Sequence, residues 1–141
     1  MTARKDDVAP ASSPLDGTRI LVVEDDFIIG LELAAVLSDA GAEVVGPSQS
    51  VAAAMITAEE PLSAAILDIR LGDETVAPVA RRLAARHVPF LFYTGQSGTD
   101  PLRSEWPECR IIAKPAMPPS LVAALAALLC EESQRSRPAA R

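Results

Sequence analysis

The sequence predicts an α/β fold: one doubly wound sheet of five parallel strands with helices on both faces. Three observations carry this. Short apolar, β-branched runs alternate with stretches of helical periodicity, which is the pattern of repeated β-α units. The runs are nearly continuous in apolar residues, as strands buried on both faces are. One of them, Ala64-Ala65-Ile66-Leu67, stops abruptly at Asp68, and a Gly72-Asp73-Glu74 turn follows. In open sheets of this class, ligands and chemistry sit beyond the carboxyl ends of the strands.

The elements follow in order. Arg19-Ile20-Leu21-Val22-Val23 is the first strand and ends in Glu24-Asp25-Asp26. Asp26 is suited to cap the next helix, whose buried face is Ile29, Leu33, Val36, Leu37 and Ala40. Gly41 closes it. The run from Ala42 to Gly46 is a short second strand, expected at a sheet edge. Ser50 caps a helix running to about Glu60, where Pro61 stops it. The Asp68 strand is third. The next helix runs from Val76 to His87, with Val79, Leu83 and Ala84 inward and Arg81, Arg82 and Arg86 outward. The fourth strand runs from Pro89 to Thr94 and breaks at Gly95. Gln96 to Glu108 holds Gly98, Pro101 and Pro107, which allow only a short helix. The fifth strand runs from Arg110 to Ala113 and is closed by Lys114-Pro115. Pro118-Pro119 open a last helix, Ser120 to Glu131, on Leu121, Leu125, Leu128 and Leu129.

A chain of 141 residues allows one ordinary domain. Residues 1–17 and 132–141 are polar without apolar periodicity, and are expected to be disordered tails around a domain at 18–131. Apolar residues reach 49% but aromatics only 4%, so the core should be Leu, Val, Ile and Ala. A net charge of −6 argues against a nucleic-acid surface. Cys109 and Cys130 are too few for a disulfide framework and lack metal-ligand spacing. No apolar run approaches the ~18 residues of a membrane span, and the N-terminus has no signal-type apolar core. The expected location is the cytoplasm, with no membrane partner.

Four of the five strands end in a chemically useful group: Glu24 and Asp25, Asp68, Thr94 and Lys114. A parallel sheet brings all these ends to one edge. If the strand order is 2-1-3-4-5, the switch point lies between strands one and three, and the three carboxylates would meet there. Clustered carboxylates repel and need a cation or a shared proton. Hard oxygen ligands of this kind suit Mg²⁺, and a facing lysine and hydroxyl suit a transferring phosphoryl group. The residues therefore point to a Mg²⁺-dependent site with Asp68 as phosphoacceptor.

The segments Leu21-Val22-Val23-Glu24-Asp25-Asp26, Ile66-Leu67-Asp68, Tyr93-Thr94-Gly95 and Ala113-Lys114-Pro115 resemble the receiver domains of two-component response regulators. The likeness runs from about Thr18 to Glu131, with 43 residues from Asp25 to Asp68. The chain is also similar to a single-domain subgroup whose fourth strand ends Phe-Ala-Thr-Gly-x-Tyr. Phe92-Tyr93-Thr94-Gly95-Gln96-Ser97 stands in that place, with Tyr93 and Ser97 as departures. Gly46-Pro47-Ser48 and Leu71-Gly72-Asp73-Glu74 fit the subgroup as well.

The resemblance implies a flavodoxin-like receiver fold with strand order 2-1-3-4-5, and a role for each residue. Asp68 would take the phosphoryl group from a phosphohistidine of a histidine kinase or phosphotransfer protein. Asp25 would bind Mg²⁺ directly and Glu24 through a water, with Asp68 and the backbone carbonyl of Arg70 completing the protein ligands. Lys114 and the Thr94 hydroxyl would meet the phosphoryl oxygens, and Lys114-Pro115 would be cis. The Arg70 side chain either faces solvent or shapes access of the hydrolytic water. His87 is expected to be a bystander. The protein would be a phosphoacceptor rather than an enzyme with turnover, and would act through partners because no output module follows Glu131.

Many receivers couple the threonine to an aromatic three residues before the lysine, but Ile111 stands there. The segment from Gly95 to Pro107 is therefore the expected moving part. Phe27, Ile28 and Leu31 fall outside the buried stripe of the first helix and are expected to dock the kinase. Two other readings compete: a receiver fold used only for binding, and a haloacid-dehalogenase-type phosphohydrolase. The second wants an Asp two residues past the nucleophile, and Arg70 is there instead. A dinucleotide site is excluded because no Gly-x-Gly-x-x-Gly follows the first strand.

Overall fold

The computed structural model describes residues 13–95 and 101–136. In chain order the elements are β1 (Arg19–Val23), α1 (Phe27–Asp39), β2 (Glu43–Ser48), α2 (Val51–Thr57), β3 (Ala64–Leu67), β4 (Arg70–Leu71), β5 (Glu74–Thr75), α3 (Ala77–Ala85), β6 (Phe90–Thr94), α4 (Leu102–Glu105), β7 (Ile111–Ala113) and α5 (Pro118–Ser136). Five strands form one parallel sheet in the order β2-β1-β3-β6-β7. Counting only these five gives the expected 2-1-3-4-5. The extra pair, β4 and β5, is a small antiparallel hairpin.

The alternation of side chains along each strand builds two apolar layers. Leu21, Val23, Ala65, Leu67, Phe90 and Phe92 face one way, against Ala54 of α2, Val79 and Leu83 of α3, and Leu102 of α4. Ile20, Val22, Ala64, Ile66, Leu91 and Tyr93 face the other way, against Leu33 and Leu37 of α1 and Leu121 and Leu125 of α5. Helices therefore cover both faces, as the continuous apolar strands require. Asp26 Oδ1 caps α1 by accepting from the Ile29 amide at 3.1 Å, and Ser50 Oγ caps α2 by accepting from Ala53 at 3.1 Å. Both Lys114-Pro115 and Gly46-Pro47 are cis; only the first was expected.

Some boundaries differ from the sequence reading. Leu15, assigned to a disordered tail, is fully buried with the α1–α5 layer. Its amide donates to Ala40 O at 2.9 Å, and its carbonyl accepts from the Thr18 hydroxyl at 2.7 Å. A single buried leucine, worth about 1.5–3 kcal/mol, is enough to dock this segment, and it carries no periodicity to reveal it. The last helix continues past Glu131, through Ser136 among the described residues. Its extra turn is polar and joined internally by the Arg135–Glu132 ion pair at 2.7 Å. The α2 helix stops at Thr57, short of Glu60, where the Thr57 hydroxyl bonds Ser48 Oγ at 2.9 Å. Ala84 is exposed, and Ala80 takes the inward place on α3. Residues 1–12 and 137–141, and 96–100 within the expected moving segment, lie outside the described residues.

The α3 helix ends with a bond from the Val88 amide to Leu83 O at 2.9 Å, inside which the His87 amide reaches Ala84 O at 3.0 Å. This is the two-bond helix stop in which glycine ordinarily takes the left-handed residue. Here His87 holds it, at φ 60°. Substituting His87→Gly removes that backbone strain and is expected to stabilise the chain by about 1 kcal/mol. A thermal midpoint that falls instead of rising by a few degrees would show that the imidazole contributes contacts outweighing the strain.

Candidate functional site

Glu24, Asp68 and Lys114 each stand first past the end of a strand, with the backbone still tied to the neighbouring strand. The Asp68 amide donates to Val23 O at 2.9 Å, extending the β1–β3 ladder by one step. The Lys114 amide donates to Thr94 O at 3.0 Å, which does the same for β6–β7. The Glu24 amide donates to Ser48 O at 3.0 Å across β1–β2. Parallel register thus turns positions far apart in sequence into one row.

The β1–β2 link depends on a bulge. Leu21 pairs with Val45 but Val23 pairs with Ser48, so β2 carries one extra residue around Gly46. Gly46 sits at φ +99°, and a Cβ there would lie 2.7 Å from both Val22 O and Ser48 N. Only glycine fits, and the bulge re-aims Ser48 toward Glu24.

The side chains meet at this edge. Lys114 Nζ donates to Glu24 Oε1 at 2.6 Å and to Asp68 Oδ2 at 2.8 Å. The second oxygen of Glu24 accepts from the Asp26 amide at 3.0 Å. Carboxylate oxygens of Glu24, Asp25 and Asp68 all lie within 4.8 Å of one another. Glu24 is 1% exposed and Asp68 7%, whereas Asp25 is open to solvent. Burial pushes the Glu24 carboxyl above the ordinary carboxylate range, against the hydrogen bonds from Lys114 and the Asp26 amide, and the Asp68 charge adds to the rise. Burial also acts to lower the Lys114 pKa, but the hydrogen bonds to Asp68 and Glu24 outweigh it and hold the ammonium above its usual value. Three carboxylates against one lysine leave an excess of negative charge in a partly dry place. A hard divalent cation fits that donor set.

Thr94 ends β6, 2% exposed. Arg70 begins the β4–β5 hairpin with its side chain in solvent. That hairpin is a structural element the sequence reading missed. Its turn has Gly72 at φ +62°, the first central position of a two-residue loop. The Gly72 amide donates to Asp25 Oδ2 at 2.9 Å, so the hairpin tip reaches the acidic cluster. Gly-Asp at residues 72–73 was the available signal. Tyr93 was also missed as a neighbour of the site, since its ring centroid lies 5.6 Å from Lys114 Nζ.

A five-stranded parallel sheet of this order, sandwiched between helices and carrying an acidic cluster and a lysine at its carboxyl edge, is the flavodoxin-like fold of response regulator receiver domains. No protein-family model matches the chain, and no curated protein matches it by sequence. Solved structures do. A CheY-like receiver domain protein from Methanospirillum hungatei JF-1 aligns at 22% identity and a TM-score of 0.76, covering 86% of this chain and 99% of that one. A response regulator receiver protein from Sinorhizobium medicae WSM419 aligns at 26% identity and a TM-score of 0.72, over 82% and 96%. The response regulator PhyR from Brucella abortus aligns at 24% and 0.72; 92% of this chain matches 55% of that protein, so the chain spans about half of PhyR. Among the described residues, no helix is long and apolar enough to cross a membrane.

Proposed function

We propose that this chain is a cytoplasmic phosphoacceptor of a two-component relay, taking a phosphoryl group onto Asp68 and signalling through a protein partner. The observation that carries the reading is the contact of Lys114 Nζ with both Asp68 and Glu24, in a cluster where Asp25 is the third carboxylate. An Asp68 oxygen attacks the phosphorus of a phosphohistidine protonated on its other ring nitrogen; the O–P bond forms as the P–N bond breaks, and neutral imidazole leaves with the proton it already carried. Lys114, 2.8 Å from Asp68, follows the negative charge onto the phosphoryl oxygens, and the Thr94 hydroxyl bonds one of them. Asp25, Asp68, the Arg70 carbonyl and, through a water, Glu24 would hold Mg²⁺. Bound there, the ion supplies charge neutralisation for the incoming phosphoryl group. The likeness to the Phe-Ala-Thr-Gly-x-Tyr receivers is part of this proposal.

The test is intact mass after incubation with acetyl phosphate. The wild-type chain is expected to gain one phosphoryl group with Mg²⁺ and none without it. A chain that gains nothing from acetyl phosphate or from any histidine kinase is only a binding module, and one that turns over phosphate esters is a hydrolase.

The kinase is proposed to dock on α1, where Phe27, Ile28 and Leu31 are 58%, 61% and 46% exposed next to the acidic edge. Ile28→Asp is expected to slow transfer from the kinase about tenfold while leaving acetyl phosphate uptake unchanged. Equal slowing with both donors would place the damage in the site rather than in docking.

A further inference from the structure

We propose that Tyr93 is a positioning residue for Lys114, carrying its ammonium on the ring and anchoring the loop behind it with the hydroxyl. The proposal deepens the phosphoacceptor reading and rests on it. Tyr93 precedes Thr94 in β6 and is 6% exposed, packed in the layer that holds Leu33 and Leu121. An ordinary core position would ask only for apolar volume. Two contacts go beyond that.

The first is at the head of the lysine. Nζ stands 5.6 Å from the Tyr93 ring centroid, within the range where the negative face of an aromatic ring attracts a cation. The second is at the backbone. The amide of Ala116, two residues past Lys114, donates to the Tyr93 hydroxyl oxygen at 3.2 Å. One side chain therefore meets the flexible lysine at its tip and holds the chain that carries its stem.

Lys114 also pairs with Glu24 and Asp68. In the proposed reaction Asp68 becomes an acyl phosphate, so its contact with the lysine has to be exchanged. Tyr93 is a neutral partner, unchanged by the chemistry, and keeps the ammonium at the edge during that exchange. Leucine would fill the volume but supply neither contact. Phenylalanine supplies the ring alone.

The experiment is a double-mutant cycle on the full chain, read as the rate of Mg²⁺-dependent phosphoryl uptake from acetyl phosphate, with thermal midpoints as control. Tyr93→Phe is expected to slow uptake about threefold and Tyr93→Leu about tenfold, the midpoints moving by only a few degrees. In a Lys114→Met background the same substitutions should change the rate by less than about twofold, because a residue acting through another has no effect once the other is gone. Equal slowing in both backgrounds, or no slowing in the first, overturns the proposal.

A second measurement needs neither phosphorylation nor a folded Lys114→Met. The ε-methylene protons of Lys114 should be shifted upfield by the ring in wild type and Tyr93→Phe, and relax to their ordinary position in Tyr93→Leu. Unshifted protons in wild type overturn the proposal. A wild-type chain that shows the shift yet takes no phosphoryl group overturns the phosphoacceptor reading and supports the placement of Lys114 by Tyr93.

Discussion

Replacing Asp68 by alanine is expected to lower phosphoryl uptake by about a hundredfold or more, to below detection by intact mass, with the fold intact. The neighbouring carboxylates do not substitute for it. Glu24 is 1% exposed and has both oxygens engaged, one by Lys114 and one by the Asp26 amide. Asp25 is open to solvent, but its Oδ2 is held by the Gly72 amide at the hairpin tip. Stability should not suffer, because the substitution removes one of three mutually repelling carboxylates while Lys114 keeps Glu24 as its partner. A variant that still gains one phosphoryl group would move the acceptor to another residue, and fragment masses would locate it.

The largest effect on stability is expected at Gly46. An alanine there combines a left-handed φ with a Cβ 2.7 Å from Val22 O and from Ser48 N, both backbone atoms that cannot swing aside. The expected loss is about 3 kcal/mol, a large share of the roughly 5–15 kcal/mol that holds a domain of this size. Gly72 is the internal control. It too has positive φ, at +62°, but a Cβ would meet nothing within 4 Å. Gly72→Ala should cost only about 1 kcal/mol. Urea unfolding of the two variants separates the contributions: similar losses would mean that backbone strain, not the clash at the bulge, governs both. Gly46→Ala should also slow phosphoryl uptake in whatever fraction remains folded, since the bulge presents the Ser48 carbonyl to the Glu24 amide.

Most of the architecture was legible because it rests on local patterns. Apolar β-branched runs gave the five strands, the 3.6-residue spacing of Ile29, Leu33 and Leu37 gave α1, and Asp26 and Ser50 stood where caps belong. The candidate site was legible for a similar reason. Once strands are parallel, the residues just past their carboxyl ends must share an edge, so Glu24, Asp25, Asp68 and Lys114 could be grouped from positions alone. Features that depend on a single distant contact left no such trace. Leu15 stands between Ser12-Ser13-Pro14 and Asp16-Gly17, a stretch that reads as loop, yet it is buried with Ala40 and the α1–α5 layer. The helix end at Thr57 comes with a hydroxyl pair to Ser48 on β2, not with a stop signal in the chain.

The sequence by itself determined the five strands, the covered faces and the identity of the groups at the strand ends, because periodicity and strand termini are properties of neighbouring residues. Only the tertiary structure decided how those groups are held: the bulge that brings Ser48 to Glu24, the hairpin amide on Asp25, and the tyrosine beneath Lys114. Each is a contact between residues more than twenty positions apart, and its distance is set by how two elements pack rather than by either element's own pattern.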